Sequence, residues 1–414
     1  RFGFFPSIAL GYVVSNEKFF APIRDVVSMV KLKASYGLVG NDQIGGDRRF
    51  IYNETVIGGG KYYFGTTPSQ YTSVRLGEFP NPNVGWEKAK KLNLGADLSF
   101  FNQLNISVDY FKENREGIFL QRKSIPMYVG LSTKPWVNIG KMRNSGIDAS
   151  LEYHQPLGKD LHLTVRGNFT YARNRIMDQD EPDYAYTYMN HSGQMQWQKF
   201  GLVAAGLFQD QEDIDSWAKQ SFGEVKPGDI KYLDLNGDGI VDNYDTKPIG
   251  YSDIPEIVYG FGFSLQWKAF DLSAFFQGVA HVSFSTLTDQ TQAFVGRNLK
   301  ESSVFADLYG NTWTPENPGA KYPRMTTGAI DNNNQLSTFW MANGRYLRLK
   351  NLELGYTLPK RIANKIAMQS LRVYLSGVNL FTFSPFKLWD PDLQTGATNY
   401  PNNRIINLGL TIGF

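Results

Sequence analysis

The segment LNLGADLSF, residues 92–100, decides the fold class, because apolar and polar side chains alternate along it without a break. A tight link at Asn102 and Gln103 follows, and the alternation returns in LNISVDY, residues 104–110. Successive side chains of a β-strand point to opposite faces, so each segment has one apolar and one polar face. Two such segments joined by a tight link predict an antiparallel β-hairpin.

The same alternation recurs along the whole chain and dominates its pattern. It predicts strands at residues 1–14, 30–40, 86–101, 104–112, 137–154, 161–174, 257–267, 272–284, 346–356, 371–381 and 405–414. Helical patterns are confined to residues 211–219 and 359–368. The sequence therefore predicts an all-β protein with about eleven strands, and a further hairpin within residues 177–253 is the alternative to that count.

Composition excludes several classes of protein. The chain has 414 residues, a formal net charge of +3 and no cysteine. The lack of cysteine excludes a disulfide scaffold and thiolate chemistry, and the balanced charge argues against a nucleic-acid partner. No apolar run reaches the roughly eighteen residues of a transmembrane helix. No signal peptide precedes the strand pattern at Arg1, so we expect the sequence to be the interior of a longer protein.

The strands favour a membrane barrel over a soluble β-sandwich or propeller, because several exceed the usual length of about five or six residues. Long connections alternate with short ones, which is typical of extracellular loops and periplasmic turns. The short connections are residues 101–103, 156–160, 268–271 and 358–370, and the long ones are 41–85, 113–136, 177–253, 287–339 and 383–403. Aromatic residues near the ends of the apolar faces suit an interfacial girdle: Phe100, Tyr110, Tyr153, Tyr171, Trp267 and Phe414.

A sheet in lipid cannot keep open edges, because unpaired backbone N–H and C=O groups are costly in hydrocarbon. Residues 1–14 and 405–414 are the two predicted edges, so we expect them to pair with strands outside this sequence. The interpretation is a transmembrane antiparallel β-barrel, of which residues 1–414 supply about half.

Several longer motifs carry a family resemblance. They are KLKASYGLVGN (31–41), NPNVGWE (81–87), NIGKMRNSGI (138–147), GDIKYLDLNGDG (228–239), YLRLKNL (346–352), LRVYLSGVNLF (371–381) and the terminal Phe414. Together they resemble the C-terminal barrel half of the SusC/RagA-type TonB-dependent transporters of the Bacteroidetes outer membrane. The resemblance runs over nearly the whole chain.

This resemblance implies a barrel of about 22 strands with an N-terminal plug domain, and neither a plug nor a TonB box lies in these residues. It implies active import of oligosaccharides or peptides, driven by the inner-membrane TonB complex acting on the plug. The implied partners are a SusD-like surface lipoprotein that closes the extracellular mouth as a lid, the N-terminal plug and barrel half, and outer-membrane lipid. A dimer of transporter–lipoprotein pairs is also compatible with the resemblance.

Residues 234–245, DLNGDGIVDNYD, place oxygen ligands at the spacing of an EF-hand-type calcium loop. The predicted ligands are Asp234, Asn236, Asp238, the backbone carbonyl of Ile240, Asp242 and Asp245. Asp245 stands where a longer bidentate Glu normally sits, so we expect a weak structural Ca²⁺ or Mg²⁺ site in an extracellular loop. A solvated turn rich in Asp and Asn is the alternative.

Aromatic residues in the predicted loops are the second candidate site. The set comprises Tyr62, Tyr63, Phe64, Tyr71, Tyr184, Tyr186, Tyr188, Trp197, Trp313 and Trp340. Aromatic faces stack on sugar rings and anchor partner proteins. We therefore expect substrate or lid contacts at Tyr62, Tyr63, Tyr71, Tyr186, Trp197 and Trp313. For any single residue, packing within the loop is the alternative.

No nucleophile–base arrangement stands out, so we predict no enzymatic activity. A passive porin or surface-adhesion barrel is the main alternative to active import, and an upstream plug with a TonB box would decide between them. A barrel enzyme and a soluble binding sandwich complete the alternatives.

Overall fold

The computed structural model describes residues 2–43, 48–131, 133–288, 291, 305–326, 328–366, 368–397 and 399–413. Within them, eleven antiparallel strands form one sheet whose spatial order follows the chain. The all-β prediction and the number of strands in this sheet are confirmed. Phe414, a predicted girdle residue, lies outside the described residues.

The sheet contains all eleven predicted strands, with somewhat different bounds. They are β1 (Ser7–Val13), β2 (Val27–Asn41), β3 (Glu87–Phe100), β4 (Leu104–Gln121), β5 (Trp136–Pro156), β6 (Leu161–Asp178), β7 (Ile257–Trp267), β8 (Phe270–Ala280), β9 (Tyr346–Thr357), β10 (Ser370–Phe383) and β11 (Ile405–Gly413). Both predicted helical segments contain a short helix, α1 (Gln211–Asp215) and α2 (Lys360–Ala363). No helix among the described residues has the length and apolar character needed to cross a membrane.

Register aligns the apolar faces of neighbouring strands. Leu94 of β3 pairs with Ala34 of β2 on one side and with Tyr110 of β4 on the other. At the far edge, Leu375 of β10 pairs with Leu408 of β11. Leu94 and Leu408 remain 46% and 79% exposed. A band of exposed apolar side chains therefore runs across the sheet, as a lipid-facing wall requires.

The predicted girdle aromatics lie at two levels of this apolar band. Phe100, Tyr153 and Trp267 lie near the short turns. Tyr110 and Tyr171 lie at the opposite end, where both pair with residues of β5. Two aromatic levels that bound an apolar band are typical of the two interfaces of a membrane.

The opposite face of the sheet is polar and carries ion pairs between strands. Lys33 Nζ lies 2.7 Å from Asp97 Oδ1 and 3.3 Å from Asp109 Oδ2. Further along the sheet, Arg372 Nη2 lies 2.6 Å from Asp271 Oδ2. These charges satisfy one another on a face that suits a water-filled lumen.

β4 is longer than predicted. The sequence predicts a loop over residues 113–136, and this is wrong for its first part, because β4 continues to Gln121 opposite Trp136. Residues 113–116 of the extension are polar on both faces, and an irregularity at Gly117, which has a positive φ of 70°, breaks the alternation before the apolar residues 118–120. Cross-strand ion pairs accompany the extension, including Arg115 Nη1 with Glu87 Oε1 at 2.7 Å.

The strands also reach different heights at the end away from the short turns. Ile257, where β7 begins, pairs with Tyr171 of β6. β6 continues beyond that level to Asp178, which pairs with Lys141 of β5. The paired upper part of β5 and β6 therefore projects past the end of β7.

The long connections contain paired segments of their own. Between β2 and β3, Val56–Phe64 and Ser69–Leu76 form a separate hairpin. Shorter strands pair with each other at Phe200–Gly201, Ala204–Leu207, Lys219–Gln220, Ile230–Tyr232, Ile240–Val241, Lys247–Pro248, Ser283–Ser285 and Met341–Asn343. In the described part of the chain none of these strands joins the main sheet, so residues 177–253 add no strand to it.

The connections before β7 and before β9 fold together around a hydrophobic core, which we call the loop core. Its buried members are Leu202, Leu207, Ile230, Tyr232, Val241, Leu308, Tyr322 and Trp340. Burying such side chains stabilises a structure by roughly 1.5–3 kcal/mol each. The predicted long loops are therefore packed structure, with members drawn from segments about a hundred residues apart.

A buried carboxylate ties these segments together beside the loop core. Asp229 is fully buried, and its Oδ2 accepts hydrogen bonds from Arg324 Nη2 (3.0 Å) and the Lys226 backbone N–H (2.8 Å). Its Oδ1 accepts from Asn333 Nδ2 at 2.9 Å. Asn333 Oδ1 in turn accepts the backbone N–H of Ile230 at 2.8 Å. Because donors from both segments converge on one buried carboxylate, and Asn333 links it to Ile230, the two segments are held in one register.

The lipid-face assignment can be tested at β3. Leu98→Arg places a charge on the lipid face between the two aromatic levels, and an arginine near the bilayer midplane costs about 2–4 kcal/mol. We expect this variant of the full-length protein to insert poorly, measured as the folded fraction recovered in the outer-membrane fraction. Asn93→Arg is the matched control, because Asn93 points to the polar face and should be tolerated. Equal insertion of both variants would contradict the assignment.

The role of Asp229 gives a second prediction. Asp229→Asn leaves the Arg324 guanidinium without its buried counter-charge, and breaking such a pair costs on the order of 3 kcal/mol. Hydrogen exchange of the Ile230 and Tyr232 amides in the full-length protein should then be about a hundredfold faster. Glu224→Gln is the control, since Glu224 forms only an exposed pair with Lys226. Unchanged amide protection in Asp229→Asn would show that the network does not hold the loop core.

Candidate functional site

A cleft of about 550 Å³, which we call the loop cleft, opens between two of the long connections, the one between β8 and β9 and the one between β10 and β11. Rings of Phe305, Phe339 and Phe386 line it, and Asp307 and Lys321 contribute charged groups. Aromatic faces beside a few polar groups are typical of sites for ligands with both apolar and polar parts.

The charged groups of the loop cleft are paired. Lys321 Nζ and the Tyr322 hydroxyl both donate to Asp307 Oδ2, the latter at 2.7 Å. These two donors, with Lys321 the stronger, hold the pKa of the Asp307 carboxyl below its usual range, so it is ionised at neutral pH. Burial raises the pKa of the Tyr322 hydroxyl, which therefore keeps its proton and remains a donor. Lys387 adds a cation to the cleft that has no ion-pair partner among the described residues.

The two walls of the loop cleft are anchored differently. Tyr322 belongs to the loop core. The wall that carries Phe386 is held by Arg348 of β9, which is 2% exposed and forms ion pairs with Asp390 and, at 3.4 Å, with Asp392. Because the buried arginine pairs with two carboxylates, it fixes the position of the connection between β10 and β11 relative to β9.

The predicted aromatics Tyr62, Tyr63 and Tyr71 lie on the separate hairpin. Tyr62 pairs with Tyr71, and Phe64 contacts both rings, at 6.5 and 5.8 Å between ring centroids. Tyr63 points to the other face, where its hydroxyl donates to Gln70 at 3.2 Å. The hairpin therefore carries an exposed aromatic face, and Tyr63 is not part of it.

Tyr186 and Trp197 occupy two further places. Tyr186 stacks on Tyr188 at 5.4 Å and meets Tyr244 edge-on at 6.2 Å, so it lies beside the predicted calcium loop. Trp197 is 58% exposed and has a positive φ of 59°. Among the described residues, no ring contact joins these side chains to the hairpin set.

The two remaining tryptophans pack against the loop core. Trp313 is half-buried there, and its role as a substrate or lid contact stays a prediction. Trp340 is 2% exposed, and its indole N–H donates to the Asn333 carbonyl at 2.8 Å. The ring of Trp340 fills the interior, and its edge reaches the loop cleft.

The predicted calcium loop is closed by its own hydrogen bonds. Asp245 is fully buried, and its carboxylate accepts the backbone N–H groups of Leu235 (2.6 Å), Asn236 (3.3 Å) and Asp242 (2.9 Å). Asp234 accepts two further backbone N–H groups, and Asp238 one, together with the Asn236 side-chain amide. In the part of the chain that the structure describes, no group of three His, Asp or Glu side chains is arranged to hold a metal ion. Metal binding here stays a prediction.

The lining of the loop cleft is the part of the site that sequence reasoning missed. The lining comes from two connections without strand periodicity and includes Phe305, Asp307, Lys321, Phe339 and Phe386. Their proximity depends on the loop core and on Arg348, and neither leaves a periodic pattern. The adjacent Phe339 and Trp340 were the one local signal of a buried segment.

The chain matches the family described as TonB dependent receptor-like, beta-barrel, over residues 1–380. It is 29% identical to TonB-dependent receptor P3 of Formosa agariphila, across 100% of this chain and 42% of that relative. It is 26% identical to TonB-dependent receptor SusC of Bacteroides thetaiotaomicron, across 100% of this chain and 40% of that relative. The chain therefore spans about two fifths of the length of these relatives.

A solved structure of the RagAB peptide transporter has the same fold. It superposes with a TM-score of 0.73 at 23% identity and covers 99% of this chain and 43% of that one. The open eleven-stranded sheet agrees with about half of such a barrel. The chain belongs to the TonB-dependent receptor-like β-barrel family and forms barrel strands of a SusC/RagA-type protein of the outer membrane.

Proposed function

We propose that the whole protein imports oligosaccharides or peptides across the outer membrane. Import is powered by the TonB complex through a plug domain, and a SusD-like lipoprotein closes the mouth. The observation that carries this proposal is the polar face of the barrel wall, with the loop cleft on the extracellular side. A dimer of transporter–lipoprotein pairs remains part of the proposal.

The lining of the loop cleft supports a substrate of mixed character. Phe305 and Phe339 offer flat apolar faces, which suit sugar rings and apolar side chains. The paired Asp307 and Lys321, with Lys387 nearby, suit polar and charged groups. The peptide named for the RagAB transporter is one of these two substrate classes, and the cleft accommodates both chemistries.

Uptake in cells that produce the full-length transporter tests the proposal. Growth on, or uptake of, labelled oligosaccharide and peptide mixtures should depend on the transporter and stop when the TonB complex is inactivated. Uptake that survives without TonB would support the passive-porin alternative instead.

The loop cleft can be tested in the same assay. Ala306→Trp adds a large side chain to the cleft lining, and overpacking of this kind costs typically 1–3 kcal/mol, on the order of tenfold in apparent affinity. We expect half-saturation of uptake to require about ten times more substrate. Ala205→Trp is the control, because Ala205 is exposed and does not line the cleft. Normal uptake by Ala306→Trp would show that the loop cleft is not part of the substrate path.

We also propose that residues 234–245 bind Ca²⁺ weakly, with Asp234, Asn236, Asp238 and Asp242 as side-chain ligands. Several carboxylates in one short loop repel one another, and a divalent cation relieves that repulsion. Asp245 contributes by closing the loop over backbone donors. Bound metal would stiffen the connection between β6 and β7.

Calorimetric titration of the full-length protein with CaCl₂ measures this binding. We expect a dissociation constant of about 10⁻⁴–10⁻³ M, as in extracellular calcium modules, and loss of the heat in Asp238→Ala. Asp215→Ala, at the end of α1, removes the same charge outside the loop and should leave the heat unchanged. An absence of heat in the unaltered protein would disprove the site.

A further inference from the structure

Basic side chains cluster on the lipid-facing side of β3 to β6, just above the upper aromatic level. Register places these residues in successive rows on the same face. The aromatic level contains Leu94, Tyr110, Ile147 and Tyr171; the next row contains Leu92, Lys112, Ser145 and Arg173; the row above contains Lys90, Asn114, Arg143 and Arg175. Five cations thus lie within two rows, directly outside the apolar band.

Three of these arginines form a cleft with the aromatic level beneath. The cleft measures about 380 Å³, and its lining includes Arg143, Arg173 and Arg175 together with Tyr110 and Tyr171. Tyr110 belongs to the exposed apolar band, so the cleft opens on the outer wall of the barrel and not into the lumen.

The five cations of the two rows are incompletely compensated. Lys90 pairs with Glu116 at 3.0 Å, and Arg173 pairs with the buried Glu256 at 3.1 Å. Arg143 donates only to the neutral Asn114 side chain, at 3.1 Å. Among the described residues, Lys112, Arg143 and Arg175 have no carboxylate within ion-pair distance.

Without a bound anion, the positions of Arg143 and Arg175 destabilise the sheet. These two residues lie directly opposite each other on neighbouring antiparallel strands. Like charges in directly opposed positions destabilise a sheet, whereas an anion between them converts the repulsion into two attractions. Guanidinium groups also match the geometry of phosphate through paired N–H donors.

We propose that this cleft binds the phosphate group of a lipid in the outer leaflet. The position of the cleft relative to the membrane favours a lipid as the ligand. Tyr110 and Tyr171 mark the level at which headgroups begin, so a phosphate bound above them leaves acyl chains free to lie along the apolar band. Soluble phosphate and an acidic segment of another protein have the same charge, but neither accounts for the apolar surface directly below.

Native mass spectrometry of the full-length transporter in detergent tests this proposal. The probes are a phosphorylated lipid A, the same lipid with its phosphates removed, and inorganic phosphate. We expect the phosphorylated lipid to bind at least tenfold more tightly than the dephosphorylated one. The double variant Arg143→Gln/Arg175→Gln should lose about 30-fold in affinity for the phosphorylated lipid.

A matched control removes the same charge from the lumen side. Lys91→Gln/Arg166→Gln should bind the phosphorylated lipid as the unaltered protein does. If the double arginine variant fails to insert, Lys112→Gln replaces it, with an expected loss of about fivefold. Three results would each overturn the proposal. They are equal binding of the two lipids, unchanged lipid affinity in the double arginine variant, and displacement of the lipid by inorganic phosphate at equal concentration.

Discussion

The structure depends on one constraint, which is that backbone N–H and C=O groups in hydrocarbon must be paired within the protein. Continuous antiparallel register from β1 to β11 meets it for the nine inner strands, and within the described residues β1 and β11 are each paired on one side. The pairing also forces side chains to alternate between the two faces, so an apolar band and a polar wall arise together. The ion pair of Lys33 with Asp97 and the exposed Leu94 are two results of the same backbone geometry.

Above the barrel, a different interaction organises the chain. Water can satisfy backbone groups there, so strand pairing is no longer obligatory, and burial of side chains takes over as the stabilising term. Asp229 and the loop core join segments about a hundred residues apart, while Arg348 ties a third connection to β9. The loop cleft exists because these two anchors place its walls opposite each other.

This division explains how much could be predicted from sequence. All eleven strands, including β7, whose predicted bounds agree with the structure, leave a period-two pattern because one face meets lipid. The extension of β4 leaves no such pattern, since residues 113–116 are polar on both faces and an irregularity at Gly117 breaks the alternation beyond them. The lining of the loop cleft was missed for a related reason: Asp307 and Phe386 become neighbours through tertiary packing that has no local period. The burial of Trp340 could not be predicted, because an aromatic residue in a predicted loop gives no sign of whether it is buried.

The unequal strand lengths shape the entrance to the lumen. β5 has 21 residues and β7 has 11, and the two strands are level at the short turns. At about 3.4 Å per residue, β5 therefore extends roughly 30 Å beyond the end of β7, measured along the strand direction. The rim of the barrel is consequently oblique: the wall is high at β5 and low at β7. The connections that form the loop cleft begin beside the low part of the rim. The opening of this half of the barrel therefore faces away from β5, toward the side on which the loop cleft lies.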